Sequence, residues 1–120
     1  TTEFLALASY EGTESTGTII LKKDVEDAII AGKHVVVVED LIDTGNTLKF
    51  AVEHLKAKNP KSLKILALLD KPSRRTVDIV GDYIGLECPN KFVVGFGMDF
   101  NEKYRNIPFL GVLKPEVYKQ

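Results

Sequence analysis

The feature that most constrains the fold of this chain is a strand pattern that passes directly into a helix pattern. Residues 34–38 read HVVVV, a β-branched run that predicts a strand buried on both faces, as in a parallel sheet. Apolar residues then recur at i, i+3, i+4 and i+7, which predicts one buried helix face: Leu48, Ala51, Val52 and Leu55. Residues 62–70, SLKILALLD, predict the next strand. This order predicts an α/β fold with a central, mostly parallel sheet and flanking helices.

The rest of the chain adds short strands to this unit. Strand-like runs are FLALASY, TIILKK, YIGLEC, KFVVGFGMDF and PFLGVL. Residues 26–32 predict a short helix or turn closed by glycine, and residues 11–17, EGTESTG, predict a mobile polar loop. No repeat or linker divides the sequence, so residues 1–120 are expected to form a single domain.

Composition narrows the class of protein. Sixteen Lys and Arg against 17 Asp and Glu give a net charge of −1, so charge provides no reason to expect nucleic acid or a membrane surface as a partner. The one cysteine, Cys88, excludes an intrachain disulfide and a multi-cysteine zinc site, and it favours a reducing, intracellular setting. Cys88 is expected to be a packed small apolar residue. The N-terminus lacks the basic segment of a signal peptide and is strand-like by Phe4, so we expect a piece of a longer chain.

Three carboxylates, Glu39, Asp40 and Asp43, follow the predicted strand 34–38, and a Thr-Gly-Asn-Thr segment, residues 44–47, opens the predicted helix. Ligands of α/β proteins bind at the carboxyl ends of strands, and free N–H groups at a helix N-terminus suit a phosphate. Carboxylates ligate Mg²⁺ or accept hydrogen bonds from ribose hydroxyls. The pattern therefore favours a sugar phosphate with a divalent cation. The alternative is a solvated strand end with Asp43 as helix N-cap.

The stretch VVVVEDLIDTGNT resembles the phosphoribosyl pyrophosphate (PRPP) motif of type I phosphoribosyltransferases. Four further stretches in the same order resemble the hypoxanthine-guanine phosphoribosyltransferases over nearly all of the chain: SYEGTESTG, LLDKPSRR, KFVVGFGMDFNEKYRN and GVLKPEVY. The resemblance implies the type I phosphoribosyltransferase fold and purine salvage in the cytoplasm. It implies Mg²⁺-dependent transfer of phosphoribosyl from PRPP to hypoxanthine or guanine, which gives IMP or GMP and pyrophosphate. It divides the domain into a mobile loop at about 9–18, the PRPP motif at 35–47 and a purine-binding part at 71–105.

The resemblance also implies roles for the residues of the PRPP motif. Glu39 and Asp40 would face the ribose hydroxyls and, through water, Mg²⁺. Asp43 would lie near purine N7 as general base or hold the N7 proton. The 5′-phosphate would be held by residues of the motif's second half: Thr44, Gly45, Asn46 and Thr47.

The same resemblance implies roles for five residues in the second half of the chain. Lys71 would donate a hydrogen bond to purine O6. Phe92 would stack on the base, and the backbone at Val93 would meet its exocyclic group. Asp99 would bind the second Mg²⁺ beside the purine site, and Arg105 would contact pyrophosphate. Taken singly, each of three residues has a simpler interpretation. Lys71 could be an exposed lysine in a turn, Phe92 a core residue, and Arg105 a surface residue that pairs with Glu102.

Two expectations concern what the chain does on its own. Family members have a further segment before the first residue seen here, so we expect the 120-residue chain alone to have weak or no transferase activity. An incomplete apolar sheet argues for a homo-oligomer, a dimer or tetramer. The alternative function is a non-catalytic module of the same fold that senses PRPP or nucleotide. The sequence does not rank hypoxanthine, guanine and xanthine.

Overall fold

The computed structural model describes residues 1–10 and 18–119. The predicted loop 11–17 lies outside the described residues. The strands are β1 Ala6–Tyr10, β2 Thr18–Lys23, β3 His34–Ile42, β4 Ser62–Asp70, β5 Tyr83–Glu87, β6 Val93–Val94 and β7 Gly111–Val112. The helices are α1 Asp27–Ile30, α2 Asn46–Lys56 and α3 Pro115–Tyr118, with a 3₁₀ turn at Pro72–Arg74. Two structural units result, Thr1–Glu87 and Cys88–Gln120. That residues 1–120 form a single domain remains a prediction.

The first unit contains the predicted parallel sheet. Its strands lie in the order β3-β4-β5, with both pairs parallel, and α2 forms the crossover between β3 and β4. The register of β3 against β4 runs from His34 opposite Ser62 to Ile42 opposite Asp70. Strands β1 and β2 form a separate antiparallel pair. The predicted α/β architecture is confirmed.

Helix α2 covers one face of this sheet. All four residues of its predicted apolar face are buried, which confirms the helical period: Leu48, Ala51, Val52 and Leu55. Leu48 and Val52 pack with Ile65 and Ala67 of β4 and with the end of β3. Burial of such aliphatic side chains contributes about 1.5–3 kcal/mol each, so this layer holds the end of the sheet in place.

A charged network ties α2 to the segment before α1. His54 Nε2 lies 2.8 Å from Asp24 Oδ1, and Lys58 Nζ lies 3.3 Å from Asp24 Oδ2. Lys58 also donates to Asp27 Oδ1 at 2.5 Å. The hydrogen bond with His54 lowers the pKa of Asp24 to about 2. These contacts link α2 and the residues just after it to the segment 24–27.

The prediction that β3 is buried on both faces is wrong. Val36 and Val38 are 53% and 72% exposed, whereas Val35 and Val37 on the opposite face pack into the core. A β-strand sends alternate side chains to opposite faces, and α2 covers only one of them. Exposed residues of β4 share the open face with Val36 and Val38: Leu66 and Leu68.

The second unit is built around the antiparallel pair β6 and β7. The run KFVVGFGMDF, expected to be one strand, forms a strand only at Val93–Val94. The chain then turns, because Gly95, Phe96 and Gly97 have φ values of 106°, 49° and 91°. Left-handed backbone cannot continue a strand ladder, so the prediction was wrong there. Cys88 is buried as expected.

Among residues 1–10 and 18–119, no helix combines the length and apolar character required to cross a membrane.

Candidate functional site

The acidic residues Glu39 and Asp40 lie within β3, which continues to Ile42. They were expected in a loop, but the ladder persists because Leu41 and Ile42 pair with Leu69 and Asp70 of β4. Alternation along the strand leaves Glu39 partly buried and Asp40 exposed. Each carboxylate accepts a hydrogen bond from the backbone of the following residue: Asp40 N–H donates to Glu39 Oε1 (3.1 Å), and Leu41 N–H donates to Asp40 Oδ1 (2.7 Å).

Burial, with a smaller contribution from the side-chain hydrogen bond and charge of Asp40, raises the pKa of Glu39 to about 7, although the Asp40 backbone hydrogen bond lowers it in part. A carboxyl with such a pKa gains from a cation placed nearby, because the cation favours the ionised form. The pair therefore suits a cation or a set of ligand hydroxyl donors.

Asp43 follows β3 directly, at the turn into α2. The N-cap of α2 is Gly45, and no side chain caps the helix, so the interpretation of Asp43 as N-cap is excluded. Its Oδ1 accepts a hydrogen bond from Arg74 Nε at 3.0 Å, and both side chains are about half exposed. Asp43 is thus a carboxylate held at a strand end and open to an incoming group.

Gly45 allows the tight turn that starts α2. Its φ is +89°, and a Cβ atom there would lie 2.6 Å from Ile79 Cγ2 and 3.2 Å from Val77 Cγ2. Thr76 N–H donates to Thr44 O (3.0 Å), and Thr76 Oγ1 donates to Asn46 Oδ1 (3.2 Å). The turn 44–47 is therefore packed against residues 76–79 while Asn46 and Thr47 stay exposed at the helix N-terminus, where N–H groups favour an anion.

Lys71 follows β4 as Asp43 follows β3. Its backbone N–H donates to Ile42 O at 2.9 Å, which fixes the two strand ends side by side. At 7% exposure it is the one buried charged residue of the described segments, so it is not an exposed turn lysine. Within those segments its ammonium has no hydrogen-bond or ion-pair partner. Because those segments hold no buried side-chain nitrogen or oxygen without a partner, the ammonium tip itself reaches solvent, where a ligand acceptor can bind it.

The second unit holds the other predicted residues. Phe92 is 38% exposed rather than core, and its ring lies 5.4 Å from the rings of both Phe100 (edge-on) and Tyr118 (tilted). The Phe92 carbonyl accepts from Leu113 N–H (2.9 Å), and Val93 pairs with Val112. These contacts fix an aromatic ring with one open side, which suits stacking on a flat ligand.

Asp99 and Arg105 lie together in this second unit. Asp99 Oδ2 accepts from Glu102 N–H (2.7 Å) and from Arg105 Nη2 (3.4 Å). Arg105 therefore pairs with Asp99 and not with Glu102. Because both bonds use Oδ2, Oδ1 has no hydrogen-bond partner within residues 18–119. That oxygen is suited to a metal ion or a donor group.

Across the described part of the chain, no three His, Cys, Asp or Glu side chains gather closely enough to hold a metal ion. Mg²⁺ commonly takes one or two protein carboxylates and completes its shell with water and substrate phosphates. The Glu39–Asp40 pair in the first unit, and separately the Asp99 carboxylate in the second, each suit an ion held in this way.

The sequence patterns missed three residues that shape these sites: Arg74 against Asp43, Arg75 beneath the turn, and Tyr118 against Phe92. The basic run SRR was visible, but two adjacent arginines give no sign of which one points inward. Tyr118 lies far from Phe92 in sequence, so only the tertiary structure reveals the contact.

Residues 1–101 match the sequence profile of the family described as phosphoribosyl transferase domain. The chain belongs to this family. A hypoxanthine-guanine phosphoribosyltransferase of Lactococcus lactis is 50% identical over 120 residues, which cover 99% of this chain and 64% of that protein. A bifunctional TilS/HprT protein of Listeria monocytogenes is 46% identical over 98% of this chain and 18% of its own length.

Solved structures of phosphoribosyltransferases agree with this family assignment. A hypoxanthine phosphoribosyltransferase of Staphylococcus aureus has a TM-score of 0.87 at 47% identity, covering 98% of this chain and 64% of that one. The type I phosphoribosyltransferase fold and the resemblance to hypoxanthine-guanine phosphoribosyltransferases are confirmed. The chain spans less than two thirds of the length of these relatives.

Proposed function

We propose that this phosphoribosyl transferase chain carries the site for Mg²⁺-dependent transfer of phosphoribosyl from PRPP to hypoxanthine or guanine, giving IMP or GMP and pyrophosphate. The observation that carries the proposal is the adjacency of two strand ends, since Asp43 follows β3 and Lys71 follows β4. Beside them lies the turn 44–47, called here the phosphate-type turn because its exposed N–H groups suit a phosphate. Relatives named hypoxanthine-guanine phosphoribosyltransferase support the choice of substrates. Such an enzyme serves purine salvage in the cytoplasm, and we expect a dimer or tetramer.

The sugar phosphate occupies the end of β3 in this proposal. The exposed N-terminus of α2 and the Thr44 and Thr47 hydroxyls bind the 5′-phosphate, with Gly45 permitting close approach. Glu39 and Asp40 accept hydrogen bonds from the ribose hydroxyls. As the bond from C1′ to pyrophosphate breaks, positive charge grows on the ribose, and nearby carboxylates stabilise it.

The purine contacts follow the resemblance, which assigns them to Lys71, Phe92 and Val93. The Lys71 ammonium donates to O6, which favours 6-oxopurines, and Phe92 stacks on the ring. Val93 offers backbone groups to the exocyclic position. Asp43 takes or holds the N7 proton while purine N9 forms its bond to C1′. Arg74, now paired with Asp43, is exposed enough to yield to the base.

The leaving group is handled by Arg105 and by metal-binding carboxylates. Mg²⁺, when bound, neutralises charge that develops on pyrophosphate. Glu39 with Asp40 would hold one ion and Asp99 the second, and the Arg105 guanidinium adds a positive charge for the departing oxygens.

The proposal is tested by pyrophosphate release from PRPP with hypoxanthine, guanine and xanthine, in the wild-type protein at its natural length and in Asp43→Asn. We expect Asp43→Asn to lower kcat about 10²-fold or more with PRPP binding retained, because general-base catalysis contributes on that scale. Loss of binding together with turnover would contradict a catalytic role for Asp43.

The alternative is a non-catalytic module that senses PRPP or nucleotide. Such a module binds PRPP but releases no pyrophosphate with any of the three purines. The candidate base Asp43 beside Lys71 favours the enzyme, since a sensor of PRPP or nucleotide needs no base. The 120-residue chain alone is expected to turn over weakly or not at all, and full-rate turnover by that chain would contradict this expectation.

A further inference from the structure

Arg75 lies beneath the acidic turn, and its guanidinium is engaged by the protein itself. Nη1 donates to the carbonyl oxygens of Asp43 (2.7 Å) and Ile42 (3.3 Å), and Nε donates to Ile79 O (3.2 Å). Nη2 donates to the Asp70 carboxylate, and these two side chains are only 16% and 14% exposed. A planar guanidinium with five donors can hold this many acceptors at once, and a lysine ammonium cannot reproduce the set.

Three of the four acceptors of Arg75 belong to residues at the ends of β3 and β4. Ile42 and Asp70 are the last residues of β3 and β4, and Asp43 is the candidate base. Arg75 binds the backbone carbonyl of Asp43 but makes no hydrogen bond to the Asp43 carboxylate. Arg75 thus fixes the backbone from which the Asp43 side chain projects.

The aliphatic part of Arg75 supports the phosphate-type turn as well. A Cβ atom at Gly45 would lie 3.0 Å from Arg75 Cδ, so the glycine backbone rests directly on this side chain. One residue therefore underlies both the base position and the start of α2.

The neighbouring Arg74 has a different environment. It reaches the Asp43 carboxylate from outside with its side chain 46% exposed. Exposed ion pairs contribute little, whereas removing one member of a buried pair leaves an uncompensated charge. Of two adjacent arginines, one can be displaced by a ligand and the other is part of the scaffold.

We propose that Arg75 is a positioning residue for phosphoribosyl transfer, which presets the turn 43–45 for the ligand without touching it. This inference rests on the proposed function, and it predicts that Arg75 acts on PRPP and on the reactive geometry more than on purine affinity. Preset geometry matters because small displacements of a reacting group cost large factors in rate.

The test is Arg75→Lys in the protein at its natural length, by amide hydrogen exchange and steady-state kinetics. We expect the amides of residues 43–47 to exchange about tenfold faster, while those of residues 52–55 in the same helix stay at the wild-type rate. We also expect KM for PRPP to rise about tenfold and KM for the purine to change less than about threefold. In Arg74→Lys the exchange of residues 43–47 should match wild type.

Unchanged exchange at 43–47, or equal acceleration over the whole helix, would overturn the proposal. If Arg75→Lys does not fold, Asp70→Asn decides, because it loosens the same guanidinium while keeping side-chain size. A folded Asp70→Asn with wild-type exchange and wild-type KM for PRPP would also overturn it. The exchange experiment needs no substrate, so an inactive wild-type protein would refute the proposed function and leave the role of Arg75 to be judged separately.

Discussion

Adjacent residues at the end of β3 differ because strand alternation gives them different surroundings. Glu39 is partly buried on the face that carries α2, whereas its neighbour Asp40 is exposed. Burial is the larger reason for the raised pKa of Glu39, and the Asp40 carboxyl adds to it. A side chain that the resemblance assigns to ribose and metal contact is therefore the one that the unliganded fold least favours as an anion.

This raised pKa predicts a pH-dependent stability. Between the ordinary value of 4.5 and the folded value of about 7, the folded state keeps a proton that the unfolded state releases. Stability should therefore fall as pH rises through this window and level off above it. We expect Glu39→Gln to remove the decline and to add about 1–2 kcal/mol at pH 8, a value reduced for partial exposure.

Urea unfolding of wild type and Glu39→Gln at pH 5 and pH 8 checks this prediction. The conservative control is Glu53→Gln, an exposed glutamate of α2 whose loss should leave the pH dependence in place. Parallel pH profiles for wild type and Glu39→Gln would contradict it.

The sequence pattern predicted some helices and strands more accurately than others. The buried face of α2 follows from a local period, so the sequence pattern predicted all four of its residues. The end of β3 depends on pairing with β4, and the pattern stopped the strand at Val38 instead of Ile42. Apolar alternation in KFVVGFGMDF suggested a strand, but alternation does not show that the backbone at Gly95 is left-handed.

The turn after β6 predicts a contrast between two glycines. Gly95 and Gly97 both have positive φ, yet a Cβ at Gly95 would clash with the backbone oxygen of Phe109, and one at Gly97 would meet nothing within 4 Å. Gly97→Ala should cost about 1 kcal/mol through backbone strain alone. Gly95→Ala should cost about 3 kcal/mol or more, because a backbone oxygen must move as well.

Thermal and urea unfolding of the two variants, with Phe92 stacking followed by near-ultraviolet circular dichroism, measure this difference. Equal destabilisation by both substitutions would show that the contact with Phe109 does not constrain the turn.

At the scale of the whole molecule, the parallel sheet has one face under α2 and one face of exposed aliphatic residues. Val36 and Val38 lie there with Leu66 and Leu68 of β4. The candidate site residues Asp43, Gly45 and Lys71 could be proposed from the sequence because they belong to one motif and one strand end. The exposed face of the sheet and the inward direction of the Arg75 side chain could not be predicted, because both depend on which elements pack against the sheet.

An exposed apolar face of this kind promotes association. We expect the 120-residue chain to self-associate as its concentration rises, and Val38→Lys to reduce this while changing the free energy of unfolding by less than about 0.5 kcal/mol. Val37→Lys, which places the charge in the core, should unfold the chain instead. Sedimentation velocity at several concentrations measures the association, and a Val38→Lys chain that associates like wild type would contradict the expectation.

The pairing of Ile42 with Asp70 has a consequence for how the chemistry arises during folding. Asp43 and Lys71 come from separate segments, and they become neighbours only when β4 docks beside β3. A peptide that contains the whole acidic motif, or a partly folded chain in which α2 has formed without β4, has no Lys71 beside Asp43 and no Arg75 side chain beneath Gly45. In the proposed function, the purine contacts and the phosphate turn therefore both require the completed β3–β4 ladder.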